Sequence, residues 1–218
     1  MRTISFLRVV APLVGAGLLT SGLLAGCSPG ADNPYAAIKG APLVRATPHT
    51  VTLVSAEATL VDRLRQDGYA PMPAAPNYPG AVRVEAALWK VPEDVAANPL
   101  VFMAPNGRGP NVRILATPPV APLPAVDPEL IEAFYLNVLG TAVPRWPGST
   151  SLPAGARVQA WTFLIDDVLV ARRQLREAGI PIDFDAVAIT TAYLGDHKLL
   201  GIKAPDGVIL ELVETAAR

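Results

Sequence analysis

The chain has 218 residues, of which 18 are basic, 19 acidic and 23 proline, and 51% of it is hydrophobic. That near-neutral balance gives no electrostatic basis for binding nucleic acid or for a polybasic membrane contact. Proline at roughly twice its usual share points instead to short elements joined by stiff connections.

In chain order, Arg2 and Arg8 form a positive start, and Val9 to Leu24 is an uninterrupted uncharged stretch, the composition of an export signal. It ends in Leu24-Ala25-Gly26-Cys27, which resembles the bacterial lipobox, where cleavage precedes a lipid-modified Cys. The resemblance implies a signal peptide over residues 1–26, lipidation of Cys27, and a partner membrane in the bacterial cell envelope, with the protein facing the periplasm or exterior. The competing reading is a transmembrane anchor, against which stands the lack of a basic stop-transfer flank after Cys27. Cys27 is the only cysteine, so no internal disulfide exists. One acyl chain binds a membrane marginally, whereas the two or three implied here hold firmly. With residues 1–26 gone, Arg2 and Arg8 are lost and 16 basic residues face 19 acidic ones.

Residues 27–47 carry Pro29, Gly30, Pro34, Gly40 and Pro42 without periodicity and read as a tether, about 65 Å long if fully extended. A first module is expected over 48–117. His49 to Val54 reads as a strand, and Glu57 to Gln66 as a helix with Leu60, Val61 and Leu64 on one face and Gly68 closing it. Val82 to Val91 and Leu100 to Met103 are strand candidates, and Ala104-Pro105-Asn106-Gly107 turns into a strand from Asn111 to Ala116. Residues 118–156 form a Pro-rich linker that contains the strongest helix. Asp127 caps it, Pro128 opens it, Leu130, Ile131, Phe134, Tyr135, Val138 and Leu139 make its apolar face, and Gly140 ends it.

A second module is expected over 157–218. Val158 to Ile165 is a strand, and Asp166-Asp167 supplies an N-cap to a helix with Val168, Ala171, Leu175 and Ala178 at steps of three and four, ended by Gly179. Strands follow over Ala186 to Leu194, Leu199 to Lys203 and Val208 to Val213, the last after Ala204-Pro205-Asp206-Gly207. That turn echoes Ala104-Pro105-Asn106-Gly107 and marks an internal repeat.

The strand ending in Asp166-Asp167, the helix ARRQLREAG and the closing KAPDGVILELVE together resemble the βαβββ module of the vicinal-oxygen-chelate superfamily, which includes glyoxalase I, extradiol dioxygenases and bleomycin-resistance proteins. EAFYLNVLG, residues 132–140, is similar to that superfamily's first-module helix, although here it follows the expected first module. Either the first module is rearranged, or residues 111–156 are a shortened module and 48–110 an addition. The resemblance implies an α+β fold in which paired βαβββ modules form a cupped mixed sheet with helices on the outside.

It also implies where a site would lie. Metal-dependent members place His or Gln early in the first strand of each module and Glu in each last strand. Carried over, Glu211 takes one such place and His49 another, while Ala160 or Gln159 and Arg113 or Ile114 take the rest. Two of four expected ligands do not make a metal site, so no cofactor is expected, with a divalent metal possible; Glu211 is otherwise a solvent-facing strand acid and His49 a surface residue. Asp166-Asp167 is accounted for by the helix N-terminus, and His197 in Gly195-Asp196-His197-Lys198 reads as solvated at a hairpin tip. No G-x-S-x-G, H-E-x-x-H or phosphate-loop motif occurs. Trp161, Phe163 and Tyr193 are candidates to line an apolar cup, with core packing the alternative. Three functions follow: a non-catalytic binder of a small apolar or aromatic molecule, as in the bleomycin-resistance branch; a metal-dependent lyase, isomerase or dioxygenase using Glu211, His49 and Gln159; or an envelope lipoprotein that contacts another protein. Whether such modules pair within or between chains is left open.

Overall fold

Alternating side chains along the strands give a sheet with two chemically distinct faces. The computed structural model describes residues 33–56, 58–73, 78–118, 122–148, 151–152 and 154–215. The signal segment, its lipobox and Cys27 lie outside the described residues, as does Glu57 at the expected start of the first helix. Within the unit Asp32–Arg218, the first half runs β1 (Thr47–Val54), α1 (Thr59–Gln66), β2 (Ala70–Pro71), α2 (Pro79–Trp89), α3 (Glu93–Ala97), β3 (Leu100–Met103) and β4 (Asn111–Leu115). After α4 (Pro128–Leu139), the second half runs β5 (Arg157–Leu164), α5 (Val168–Glu177), β6 (Ile182–Thr191), β7 (Gly195–Lys203) and β8 (Ile209–Thr215).

The strands form one eight-stranded mixed sheet in the order β2-β3-β4-β1-β5-β8-β7-β6. Its two halves have matching roles. β1 pairs parallel with β4, β5 pairs parallel with β8, and β1 and β5 join antiparallel down the middle, within this one chain. The repeated turns are also equivalent. Gly107 N–H donates to Ala104 O at 3.1 Å and Gly207 N–H to Ala204 O at 2.9 Å, each between a half's third and fourth strands. Positive φ at both glycines, 64° and 86°, is why a residue without Cβ stands there.

The outer face carries Val51, Leu53, Val112, Ile114, Trp161, Phe163, Leu200, Ile202, Leu210 and Leu212, which pack against α1, α4 and α5 in one core. Trp161 and Phe163 therefore lie under the helices and not in the cup. Phe163 is fully buried, its ring 6.3 Å from that of Tyr135 on α4. Period two allowed either face; the alternation that turns Thr162 inward turns its two neighbours outward.

Three expectations are revised. Val82 to Val91 is not a strand: residues 79–89 form α2, opened by Pro79 and stopped by Lys90 in the left-handed conformation. Its buried positions Val82, Glu85, Ala86 and Trp89 follow helical spacing, and a charged residue inside that stripe hid the period. Nor are all helices outside, because α2 lies on the inner face with Val54, Leu115, Ala160, Leu199, Ile209 and Val213. Finally, the supposed tether is docked from Asn33 onward. Tyr35 packs edge-on against Phe134 at 5.0 Å, and the amides of Leu43, Val44 and Ala46 donate to the carbonyls of Asn137, Val138 and Leu139, groups a helix end leaves without intrahelical partners. α4 is thus a bridge between the halves, clasped by the chain that precedes β1.

No described helix is long and apolar enough to cross a membrane.

If Phe163 is an outer-core residue, Phe163→Ala will lower unfolding free energy by about 3–5 kcal/mol in urea titration. A side chain lining an open cleft would shift it by less than about 1 kcal/mol.

Candidate functional site

The inner face holds a polar cluster that the repeat itself generates. Thr52 on β1 is the register partner of Arg113 on β4, and Thr162 on β5 is the register partner of Glu211 on β8. Arg113 and Glu211 therefore occupy equivalent places in the two halves with opposite charge. They meet across the central strands: Arg113 Nη1 lies 3.4 Å from Glu211 Oε1 and donates to Thr52 Oγ1 at 3.2 Å. Thr162 Oγ1 donates to Glu211 Oε2 at 2.5 Å, and the Trp89 indole N–H of α2 donates to Glu211 Oε1.

Arg113 is 0% exposed and its guanidinium is sandwiched between two rings, 4.5 Å from the centroid of Trp89 and 4.3 Å from that of Tyr193. Its Nη1 group is used, whereas Nε and Nη2 have no hydrogen-bond partner among the described residues. Glu85, on the buried face of α2, accepts a hydrogen bond from the Tyr193 hydroxyl. Burial pushes the Glu85 carboxyl up to about 7, against the opposing pull of Arg113 and the Tyr193 hydrogen bond, with Glu211 adding to the rise. Burial likewise raises the Tyr193 phenol well above its ordinary value, so it stays a donor.

The remaining candidates fall around this cluster. Glu211 is neither solvent-facing nor open: both carboxylate oxygens are engaged, and it is 4% exposed. His49 sits half-buried at a register irregularity in β1, with Nδ1 2.8 Å from Thr50 Oγ1. A second irregularity in the β1–β5 pairing skips Gln159, whose side-chain amide donates to the Trp89 carbonyl at 2.6 Å. His197 is not a solvated tip residue. The turn is made by residues 192–194, and His197 is 5% exposed within β7, its Nδ1 2.8 Å from Gly195 O and its pKa lowered mainly by burial. Asp167 caps α5 by accepting from Leu169 N and Val170 N at 2.8 and 2.9 Å.

These residues do not fit a divalent metal. The inner positions offer one carboxylate, already hydrogen-bonded three times, two threonine hydroxyls and a guanidinium that keeps its charge. At the place in β4 that corresponds to Glu211 in β8, Arg113 brings a cation and not a second carboxylate. Among the described residues, no three His, Cys, Asp or Glu side chains converge on one point.

Beside the cluster, α2 leaves part of the cup open as a cleft of about 500 Å³. Met72, Val101, Met103, Leu164 and Leu194 give it apolar walls, and His49, Thr50, Asn111, Tyr193 and Thr215 supply polar groups without an acid. Tyr193 is shared: its ring borders the cleft, caps Arg113, and its hydroxyl holds α2.

The architecture is α+β, with two βαβββ-type halves paired in one mixed sheet, an order consistent with the fold that the sequence resemblance implied. Similar solved structures include methylmalonyl-CoA epimerase from Mycobacterium tuberculosis, with a TM-score of 0.46 at 16% identity over 82% of this chain and 93% of that one. Methylmalonyl-CoA epimerase from Streptomyces coelicolor, in complex with 2-nitronate-propionyl-CoA, gives 0.43 at 14% identity over 80% and 99%. A mutant 4-hydroxymandelate synthase from Streptomyces coelicolor gives 0.41 at 13% identity over 80% and 50%. No family model and no curated protein matches the chain.

Because the Glu85 pKa is higher in the folded state, the stability it contributes is complete below about pH 4.5 and is lost as pH rises through about 7. Relative to Glu85→Gln, the natural chain will lose on the order of 3 kcal/mol between pH 4.5 and 8 in paired urea titrations. The comparison cancels His49 and His197, whose lowered pKa values act in the opposite direction.

Proposed function

We propose that this chain is an envelope lipoprotein whose vicinal-oxygen-chelate-type domain binds a small apolar or aromatic molecule in the open cleft, without a metal and without catalysis. The observation that carries this reading is the substitution of charge at the equivalent places. With Arg113 opposite Glu211, the inner face holds a buried ion pair, and the neighbouring cleft has apolar walls with a few neutral polar groups. Such a lining suits a ligand held by shape and one or two hydrogen bonds. The lowered pKa of His49, due to burial and then to Arg113, favours a neutral imidazole at the cleft wall.

The fluorescent aromatic probe 8-anilinonaphthalene-1-sulfonate will bind the soluble fragment from Ser28 onward with one-to-one saturation that EDTA does not change. Met103→Trp, which fills the cleft from an exposed strand position, will weaken binding about tenfold or more. Probe binding that disappears with EDTA, or that ignores Met103→Trp, would refute the cleft.

Membrane attachment rests on Cys27 and its lipobox-like surroundings. In bacterial cells the natural chain is expected in the detergent phase on phase partitioning, and Cys27→Ala in the aqueous phase or as an uncleaved precursor. Equal partitioning of the two would exclude lipidation.

A further inference from the structure

A strand at the end of a sheet leaves one row of amides and carbonyls without sheet partners, and folded proteins guard such edges with charge, proline, irregular pairing or short length. This sheet ends in β2 on one side and β6 on the other. β2 is guarded: it is two residues long and ends in Pro71. β6 is ten residues long and guarded over its first half only.

In that half the pairing with β7 is irregular twice, between Ile182 and Phe184 and between Phe184 and Val187. It also carries both of the strand's charges, each tied to bases of its own chain. Asp183 lies 3.8 Å from Lys90 Nζ and 3.5 Å from Lys203 Nζ, and Asp185 pairs with Arg172 at 2.5 Å and Arg176 at 3.1 Å. In the second half none of these devices appears. Val187 to Thr191 pair residue for residue with β7, and residues 186–191 include no charge, proline or glycine. Ala188 and Thr190 are exposed, and among the described residues no backbone group of 186–191 hydrogen-bonds to backbone outside the β6–β7 ladder.

The charge pattern selects the partner. A second β6 laid parallel and in register would set Asp183 against Asp183 and Asp185 against Asp185, two like-charge contacts. Laid antiparallel about Ala188, it sets Val187 opposite the partner's Ile189 and Ala186 opposite the partner's Thr190, each pair sharing a face, while Asp185 meets only a threonine. Such an antiparallel edge is complementary to itself, as a two-fold axis requires. We propose that residues 186–191 are an interface for a second copy of this chain, in which two β6 strands pair antiparallel about Ala188 and join two eight-stranded sheets into one. None of these residues lines the cleft, and the pairing depends neither on a ligand there nor on lipidation of Cys27.

Sedimentation equilibrium of the full chain in mild detergent, at about 100 µM protein, will show a dimer. Ala188→Lys and Ala188→Glu each bring two like charges together at the two-fold axis, and each will weaken association about tenfold or more. Because Ala188 is exposed, both variants will keep the circular dichroism of the natural chain. Mixing the two variants in equal amounts puts opposite charges at the axis and will restore the dimer. A dimer that ignores Ala188→Lys, or a mixture of the two variants that stays monomeric, overturns the proposal. A natural chain that is monomeric at this concentration, leaving the edge to an extended peptide of another protein, overturns it equally.

Discussion

The contact between Arg113 and Glu211 is the constraint on which the inner face depends. Each charge comes from the last strand of its half, β4 or β8, and each half supplies a threonine from its first strand. A lone carboxylate or guanidinium at under 5% exposure would be strongly unfavourable, so the two halves are committed to meeting in one register. The antiparallel seam of β1 and β5 sets that register, and the ion pair penalises any slip of it, since a one-residue shift of one half against the other would put Arg113 and Glu211 on opposite faces of the sheet.

The same pair changes what the fold can do. Paired βαβββ modules curl a sheet around a hollow, and the chemistry of the hollow is set by its four central strands. In this chain those strands contribute a cation, an anion and two hydroxyls, which satisfy one another to a large extent and give a metal little to bind. The open space lies at the cup's margin, where β3, the end of β5 and the turn after β6 give apolar walls and the starts of β1 and β4 and the end of β8 give polar groups. Helix α2 occupies the rest. It buries Glu85, and that burial, with Glu211 adding to it and Arg113 opposing it, pushes the carboxyl up to about 7.

On the outer face, α4 has a role that neither half of the repeat requires. It follows β4, precedes β5, and buries Phe134, Tyr135, Val138 and Leu139 under the sheet, while residues 43–46 complete its last carbonyls. The segment leading into β1 is thus part of the domain.

Much of this architecture was legible in the residues. Asp127, Pro128 and Gly140 bound α4, Asp167 and Gly179 bound α5, and the two Ala-Pro-X-Gly turns announced the repeat, because caps and turns are satisfied by side chains only a few positions away. Tertiary structure alone decided the rest. Whether Trp161 and Phe163 face helices or cup depends on which side of the pleat Thr162 takes, and no local interaction chooses that side. Val82 to Val91 alternates like a strand in isolation, and becomes a helix because the inner face offers Arg113, Tyr193 and Glu211 as partners for Glu85 and Trp89. Arg113 and Glu211 are 98 positions apart, so their pairing exists only once the β1–β5 seam has closed.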